Sequence, residues 1–408
     1  MTEPAKIKPT KPDAAKGRLR FITCVSGNML PFIAKAGDAC LVIPTTFLGA
    51  SGDVIARHGF ASYWRLITDT RCPPDLTALV ARNLKRKQIR IGGLFKTSWF
   101  QKLYVRLNAI PAKVLAQSFD DYLQDNPALT ALVFNGFLTP NSILERAAKN
   151  LGHPALYLEG GFFPGTVQCD PQGINHDSGL PRDPAFYRTV DLSGAELPTA
   201  LQKRTPKRTP KHRGTSQVAL PEHYIFVPFQ VPSDMQILKL SPWIADMVDF
   251  YGVLDRLSNR HPGLRFVIKE HPSFPLSVQG RVRANPKILF ANTVDTEYLS
   301  QHADVVITIN STVGLEAVLL EKKVITLGLA HYALEGLTLQ ANSEEELHQR
   351  VMQLPGWVPD ATLRDQFLRY VNSIFLLKGE IGNPDNSLIE SMAARGNKND
   401  RYTHSLQQ

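Results

Sequence analysis

With 408 residues, 43% of them hydrophobic, the chain is long enough to bury two cores. Its formal net charge of +9 asks for an anionic partner without choosing among a nucleic acid, an acidic lipid surface and a sugar nucleotide. The four cysteines, Cys24, Cys40, Cys72 and Cys169, stand too far apart for a zinc knuckle or a disulfide framework. No apolar run is long enough to cross a bilayer, and the polar start MTEPAKIKPTKPDAAKGRLR lacks the layout of a secretion signal. The expected location is cytoplasmic, with any membrane contact peripheral.

Residues 1–18 read as a flexible tail. Short β-branched runs predict strands at Leu19 to Val25 and Cys40 to Ile43, each ended by turn residues, so the first half opens in α/β style. A helical middle follows, from LVARNLKRKQIR through QKLYVRLNAIPAKVLAQSFDDYL. Then LTALVFNGF, NSILERAAKNLG and HPALYLEGG make a βαβ unit over 131–161. The Lys, Arg, Thr and Pro repeat between Lys203 and Arg213 stops helix and strand alike. It is either a solvated linker or a segment drawn to anionic headgroups. Beyond it, strands YIFVPFQV, LRFVIKEHP and KILFAN alternate with helices up to the final strand pair around HADVVITINSTVGLEAVLLEKKVITLG. The expected organisation is a first α/β domain over 19–195, a basic linker over 196–220 and a second α/β domain over 221–345. Helices over 346–390 would pack across both, and 391–408 would be a loose tail. Two Rossmann-like domains facing a cleft resemble the GT-B-like glycosyltransferase arrangement, with donor nucleotide mainly on the second domain and acceptor on the first.

Catalytic and binding residues of such sheets gather at the carboxyl ends of the strands. At three of these ends the second domain carries polar residues: Gln230 with Asp234 and Gln236, then Lys269, Glu270 and His271, then Asn310, Ser311 and Thr312. The last group opens a helix, where backbone N–H groups and hydroxyls converge on a point suited to a phosphate, or where Ser311 or Thr312 simply caps the helix. Lys269 or His271 could give a charge-assisted hydrogen bond to the same anion. One helical turn past Thr312, Glu316 is either a ribose acceptor or a buried structural carboxylate.

The stretches VPFQVPSDMQI, FVIKEHPSF, NSTVGLEAVLLEKKVITLGLAHYALEGLT and LYLEGGFFPGTVQCDPQGINHDSGLPRDPAFY occur in the order found in the bacterial capsule polysaccharide biosynthesis proteins that include the KpsS and KpsC type of Kdo transferases. The chain resembles that family over roughly residues 130–340. The resemblance implies transfer of β-Kdo from CMP-Kdo, with retention, to a phosphatidylglycerol-linked Kdo or related glycolipid. The partners would be a nucleotide-sugar donor, a glycolipid acceptor, the anionic inner-membrane surface and other capsule biosynthesis proteins, without nucleic acid. By position, Gln230, Gln236, Lys269, His271, Ser311, Thr312 and Glu316 would hold the donor. Asp170, Asn175, His176 and Arg182 are acceptor-side candidates, and Asp234 and Glu159 are the carboxylates that could act at the anomeric carbon. The sequence departs from the KpsS pattern at LEGGFFPGTVQ, where Gly160 stands in the second acidic position and the arginine-proline pair is missing.

Other readings remain open at this level: a transferase for another nucleotide sugar, a nucleotide-sugar epimerase, or a non-enzymatic capsule export or scaffold protein. Nucleic-acid binding is disfavoured because the basic repeat has no interleaved aromatics. Neither metal nor dinucleotide cofactor is expected, since Asp170, His176 and Asp177 share no repeated ligand spacing and no GxGxxG turn follows a strand.

Overall fold

The computed structural model describes residues 20–202, 219–274 and 276–407. The expected N-terminal tail and the basic repeat lie outside the described residues. The chain divides into two compact units, one of Met1–Gly161, Gly165–Ile174 and Leu376–Gln408, the other of Phe162–Pro164 and Asn175–Phe375.

In the first unit β1 (Phe21–Cys24), β2 (Cys40–Ile43), β3 (Thr130–Phe134) and β4 (Ala155–Gly160) are parallel, and β5 (Thr166–Asp170) runs antiparallel to β4. The second unit holds β6 (Ile225–Pro228), β7 (Phe266–Lys269), β8 (Ile288–Phe290), β9 (Val305–Thr308), β10 (Lys323–Thr326) and β11 (Leu339–Gln340), all parallel. A last strand, β12 (Leu377–Lys378), pairs antiparallel with β5 and completes the first sheet in the order β12-β5-β4-β3-β1-β2. Short apolar strands with no polar alternation are what a parallel sheet covered on both faces requires. Phe226, Val227, Val306 and Ile307 are accordingly buried. Both units are Rossmann-like, and two such units in one chain are the components of the GT-B-like class expected from the sequence.

Between β2 and β3 one crossover helix would suffice, yet the chain builds four: Phe47–His58, Phe60–Thr68, Pro74–Arg90 and Ser98–Asp125. Their extra length forms a helical layer belonging to the first unit.

Three expectations about organisation differ from the contacts. Residues 175–195, assigned to the first domain by chain position, pack with the second unit. The helices Glu344–Gln353 and Ala361–Tyr370 belong to the second unit, and Asn386–Gly396 and Arg401–Ser405 to the first, so the C-terminal helices are divided between the units. The expected loose tail from 391 is helical and anchored. Buried Arg395 donates from Nη1 to the Cys169 carbonyl at 2.8 Å and from Nε to Asp400 at 2.6 Å, while the Tyr402 hydroxyl donates to Asp170 Oδ2 at 2.7 Å.

Candidate nucleotide-sugar site in the second unit

The second sheet has the order β11-β10-β9-β6-β7-β8. From β6 the chain winds outward through β7 and β8, then returns to the other side of β6 and winds away through β9, β10 and β11. The strand order therefore reverses between β6 and β9, and the crevice at such a reversal is where open α/β sheets take ligands. Two residues beyond β6 stands Gln230, and two beyond β9 stands Asn310, both buried. Gln230 Nε2 donates to Asn310 Oδ1 at 2.8 Å, and Asn310 N–H donates back to Gln230 Oε1 at 3.3 Å. Asn310 Nδ2 further donates to the carbonyls of Gln236 at 2.8 Å and Leu240 at 3.1 Å. Gln230 and Asn310 thus tie the two strand ends into a floor, and Gln236 joins it through its backbone.

At the start of the helix Thr312–Leu319, Ser311 is the cap. Ser311 Oγ accepts from Val313 N–H at 3.2 Å, Ser311 N–H donates to Thr308 Oγ1 at 3.2 Å, and Gly314 N–H donates to the Ser311 carbonyl at 2.9 Å. The amides expected to converge on a phosphate are largely committed to the chain, because a strand end this tightly turned satisfies its own donors. Behind the turn the fully buried Tyr332 donates its hydroxyl to the Ser311 carbonyl at 2.5 Å. Glu316 is buried on the same helix and accepts from Gln202 N–H at 3.3 Å. Burial, then the Glu316 charge, pushes the Tyr332 phenol well above its ordinary range.

At the end of β7, Lys269 donates to the Val294 carbonyl. Glu270 gathers its own loop, accepting from Ser277 Oγ at 2.9 Å, Asn292 Nδ2 at 2.8 Å and Val278 N–H. His271 Nδ1 accepts from Ser273 N–H at 3.1 Å, so the neutral ring carries its hydrogen on Nε2, the nitrogen that can donate to an anionic oxygen. Asp234 is exposed and caps the short helix Met235–Leu238, its Oδ1 accepting from Gln236 N–H at 3.0 Å.

Of the four residues expected on the acceptor side of the first domain, three lie in the second unit. Arg182 bridges two loops there, donating from Nη1 to the His331 carbonyl at 2.6 Å and from Nη2 to the His176 carbonyl at 2.5 Å. Asn175 is a buried turn residue with φ of 54° whose carbonyl accepts from Ser178 Oγ at 2.7 Å. Asp170 stays in the first unit but is fully buried, with Gln172 N–H at 2.7 Å, Gly173 N–H at 3.1 Å and the Tyr402 hydroxyl around it. Those bonds make it a structural carboxylate holding the C-terminal helix. Glu159, at the end of β4 in the same unit, accepts from Asn135 Nδ2 at 2.5 Å and from Gly160 N–H at 3.0 Å.

Among the described residues, the side-chain atoms of the second unit that are buried without a hydrogen-bond partner are Ser233 Oγ, in the turn after β6, His331 Nε2, in the loop after β10, Thr338 Oγ1 and Gln366 Oε1, and sequence reasoning passed over all four. The His331 ring stacks flat on Phe162 at 3.7 Å. Leaving such an atom unpaired costs about 1–3 kcal/mol, which a bound polar group recovers. Burial first, then the charges of Arg182 and His176, hold His331 well below its ordinary range, and burial, then Arg182, lower His176. The His331 ring stays neutral in the folded chain and His176 takes up its proton less readily there than in the unfolded chain, which gains both protons below about pH 6.5, so stability falls as pH drops through that value. Thermal unfolding at pH 7 and pH 5 is expected to show a large loss at pH 5. His331→Phe, which keeps the stack and deletes one titrating group, is expected to halve that loss or better; an unchanged loss would remove His331 as its source.

A family profile described as capsule polysaccharide biosynthesis protein matches residues 207–380. The FixF protein of Sinorhizobium fredii is 41% identical over 317 residues, covering 77% of each chain. The chain belongs to the capsule polysaccharide biosynthesis family. The capsule polysaccharide export protein KpsS of Escherichia coli is 26% identical over 307 residues, 59% of this chain and 76% of that one. Among solved structures, the KpsC beta Kdo 2,7 transferase of Thermosulfurimonas dismutans overlays 69% of this chain and 89% of its own with a TM-score of 0.45 and 22% identity. The family profile spans β6 to β12 and so contains the Gln230, His271 and Ser311 turns as well as Ser233 and His331. Among the described residues no helix is long and apolar enough to cross a membrane.

Proposed function

We propose that this chain is a glycosyltransferase of capsule polysaccharide synthesis that moves β-Kdo from CMP-Kdo, with retention, to a phosphatidylglycerol-linked Kdo or related glycolipid at the cytoplasmic face of the inner membrane. Family membership supports a role in capsule synthesis. The observation that carries the donor assignment is the reversal of strand order between Gln230 and Asn310, with Ser233 Oγ buried and, among the described residues, unpartnered in the turn just after Gln230. Sites of that kind bind nucleotides, and orphaned polar atoms there await a polar ligand.

In this reading His271 Nε2–H and the Thr312 hydroxyl donate to the single phosphate of the donor. The Asp234 carboxylate attacks the anomeric carbon as the bond to CMP breaks, forming a glycosyl ester and releasing CMP. The acceptor hydroxyl then displaces the carboxylate, losing its proton to solvent, and the two inversions restore the starting configuration.

His271→Ala and Thr312→Ala are each expected to weaken CMP binding about tenfold or more, the usual worth of a hydrogen bond to a charged group. Calorimetric titration of the folded variants reads this directly. Equal affinity in both variants and the parent would remove the phosphate assignment, and tighter binding of UDP than of CMP would replace the donor with another nucleotide sugar.

A further inference from the structure

The net charge of the chain is not spread evenly. Between Leu76 and Phe119 there are nine lysines and arginines and no acidic residue, so this one segment carries a charge equal to the +9 of the whole sequence. It folds as the last two helices of the added layer in the first unit, Pro74–Arg90 and Ser98–Asp125, with the turn that joins them. Lys85, Arg90, Lys96, Lys102 and Arg106 are exposed, and among the described residues none of them forms an ion pair.

The same surface is apolar where a solvated helix would be polar. On the second helix Trp99, Leu103 and Leu107 recur at every fourth position, with 61%, 41% and 58% of each exposed. One helical turn apart beside them stand Lys102 and Arg106, so the outward face alternates an apolar stripe with a cationic one. Ile91 and Leu94 extend the apolar stripe around the turn, with 64% and 50% exposed. The turn is fixed in place: the Phe95 ring lies 5.3 Å from Phe100 and 6.0 Å from Tyr104, with Lys87 Nζ 5.5 Å above it. Beside this face is a cavity of about 740 Å³, walled by Leu84, Val105 and Ile110 with Asp69 and Thr77, and bordered by Lys102 and Arg106.

We propose that this helical face is the surface by which the protein docks on an anionic phospholipid bilayer. Tryptophan and leucine side chains seat in the headgroup and upper acyl region while the flanking lysines and arginines meet phosphates, the division of labour of an interfacial helix. A polyanion such as RNA would use the cations and leave Leu103, Leu107, Ile91 and Leu94 in water. A second copy of the chain would bring like charge against like. The inference names a surface distinct from the basic repeat at Lys203–Arg213, and it does not depend on the donor assignment, because vesicle binding is read without nucleotide.

Co-sedimentation of the full chain with vesicles of phosphatidylglycerol and phosphatidylcholine, and with phosphatidylcholine alone, tests it. Binding is expected to the mixed vesicles only. Lys102→Gln with Arg106→Gln is expected to lower it about 25-fold, at roughly fivefold for each charge near an acidic surface. Trp99→Ser with Leu103→Ser and Leu107→Ser, all on exposed positions, is expected to lower it at least tenfold, with the residual binding abolished by salt because only the screened electrostatic part remains. Either of three results overturns the assignment: equal binding to both vesicle types, both variants binding as the parent does, or loss of binding only when the six basic residues of the 203–213 repeat are changed to serine.

Discussion

Asp234→Asn is expected to lower sugar transfer about 10³-fold while leaving CMP affinity and melting temperature close to those of the parent. The reason is the place of this carboxylate. It sits exposed just past β6, and its carboxylate accepts from Gln236 N–H at 3.0 Å, at the start of a short helix. Asparagine caps a helix as well as aspartate does, so the turn survives, and the substitution removes only the charge. Loss confined to the chemical step would appear as slow single-turnover transfer at saturating donor. Glu159→Gln is a less clean change. Glu159 accepts from both Asn135 and Gly160, so the amide group of glutamine would face one of those donors and cost stability of about 1–3 kcal/mol. Its transfer rate must therefore be read per folded molecule. If Glu159→Gln loses single-turnover transfer and Asp234→Asn transfers normally, the reacting carboxylate comes from the first unit. Mass analysis of a sugar-modified peptide after rapid quenching separates a covalent intermediate from a purely electrostatic role.

What was legible in the sequence is what depends on neighbours along the chain. Val305 to Ile309 is a β-branched run bounded by polar residues, and all but its last residue folds as β9. The helix expected between YIFVPFQV and LRFVIKEHP begins at Met247, because Asp246 accepts from Val248 and Asp249 N–H and fixes the start there. The strand ends carrying Gln230, His271 and Ser311 were legible for the same reason: each is a short polar break after an apolar run.

The rest depends on contacts between residues far apart in sequence. Asp170 looked like a loop acid, and only the return of the chain to Tyr402 makes it structural. Arg182 looked like part of the first domain because 149 residues separate it from the His331 carbonyl that it holds. The hinge at Ser311 advertised free amides, but nothing local shows that Gln230, 80 residues away, occupies the Asn310 N–H. Ser233 hid behind Pro232 as an ordinary turn residue, and His331 hid in AHYALEG with no periodicity to mark it. For both, the signal is burial without a partner, which exists only once the fold does. A histidine directly before a tyrosine after a buried strand was the one trace of His331 that the sequence carried.

The packing behind the Ser311 turn leads to the largest expected effect on stability. A Cβ at Gly314 would lie 2.1 Å from the Tyr332 hydroxyl, 2.7 Å from its Cζ and 2.9 Å from Thr308 Cγ2. None of these atoms can withdraw easily. Tyr332 and Thr308 are fully buried, and the hydroxyl is held by the Ser311 carbonyl at 2.5 Å. Gly314→Ala therefore forces the helix Thr312–Leu319 away from the tyrosine, at a cost of about 3 kcal/mol for overpacking. In a unit of this size that corresponds to a fall of roughly 10 °C in Tm. CMP affinity should fall with it, because the displaced helix carries Ser311 and Thr312. Tyr332→Phe alone is expected to cost about 1 kcal/mol through the lost hydrogen bond. Placed on top of Gly314→Ala it should instead recover part of the loss, since it deletes the nearest clashing atom while the ring carbon at 2.7 Å still presses on the new methyl group. Thermal unfolding of the two single variants and the double variant gives the coupling directly. Additive losses, or a Gly314→Ala protein that melts with the parent, would mean that the helix start has room to move and that the turn at Ser311 is not held by Tyr332.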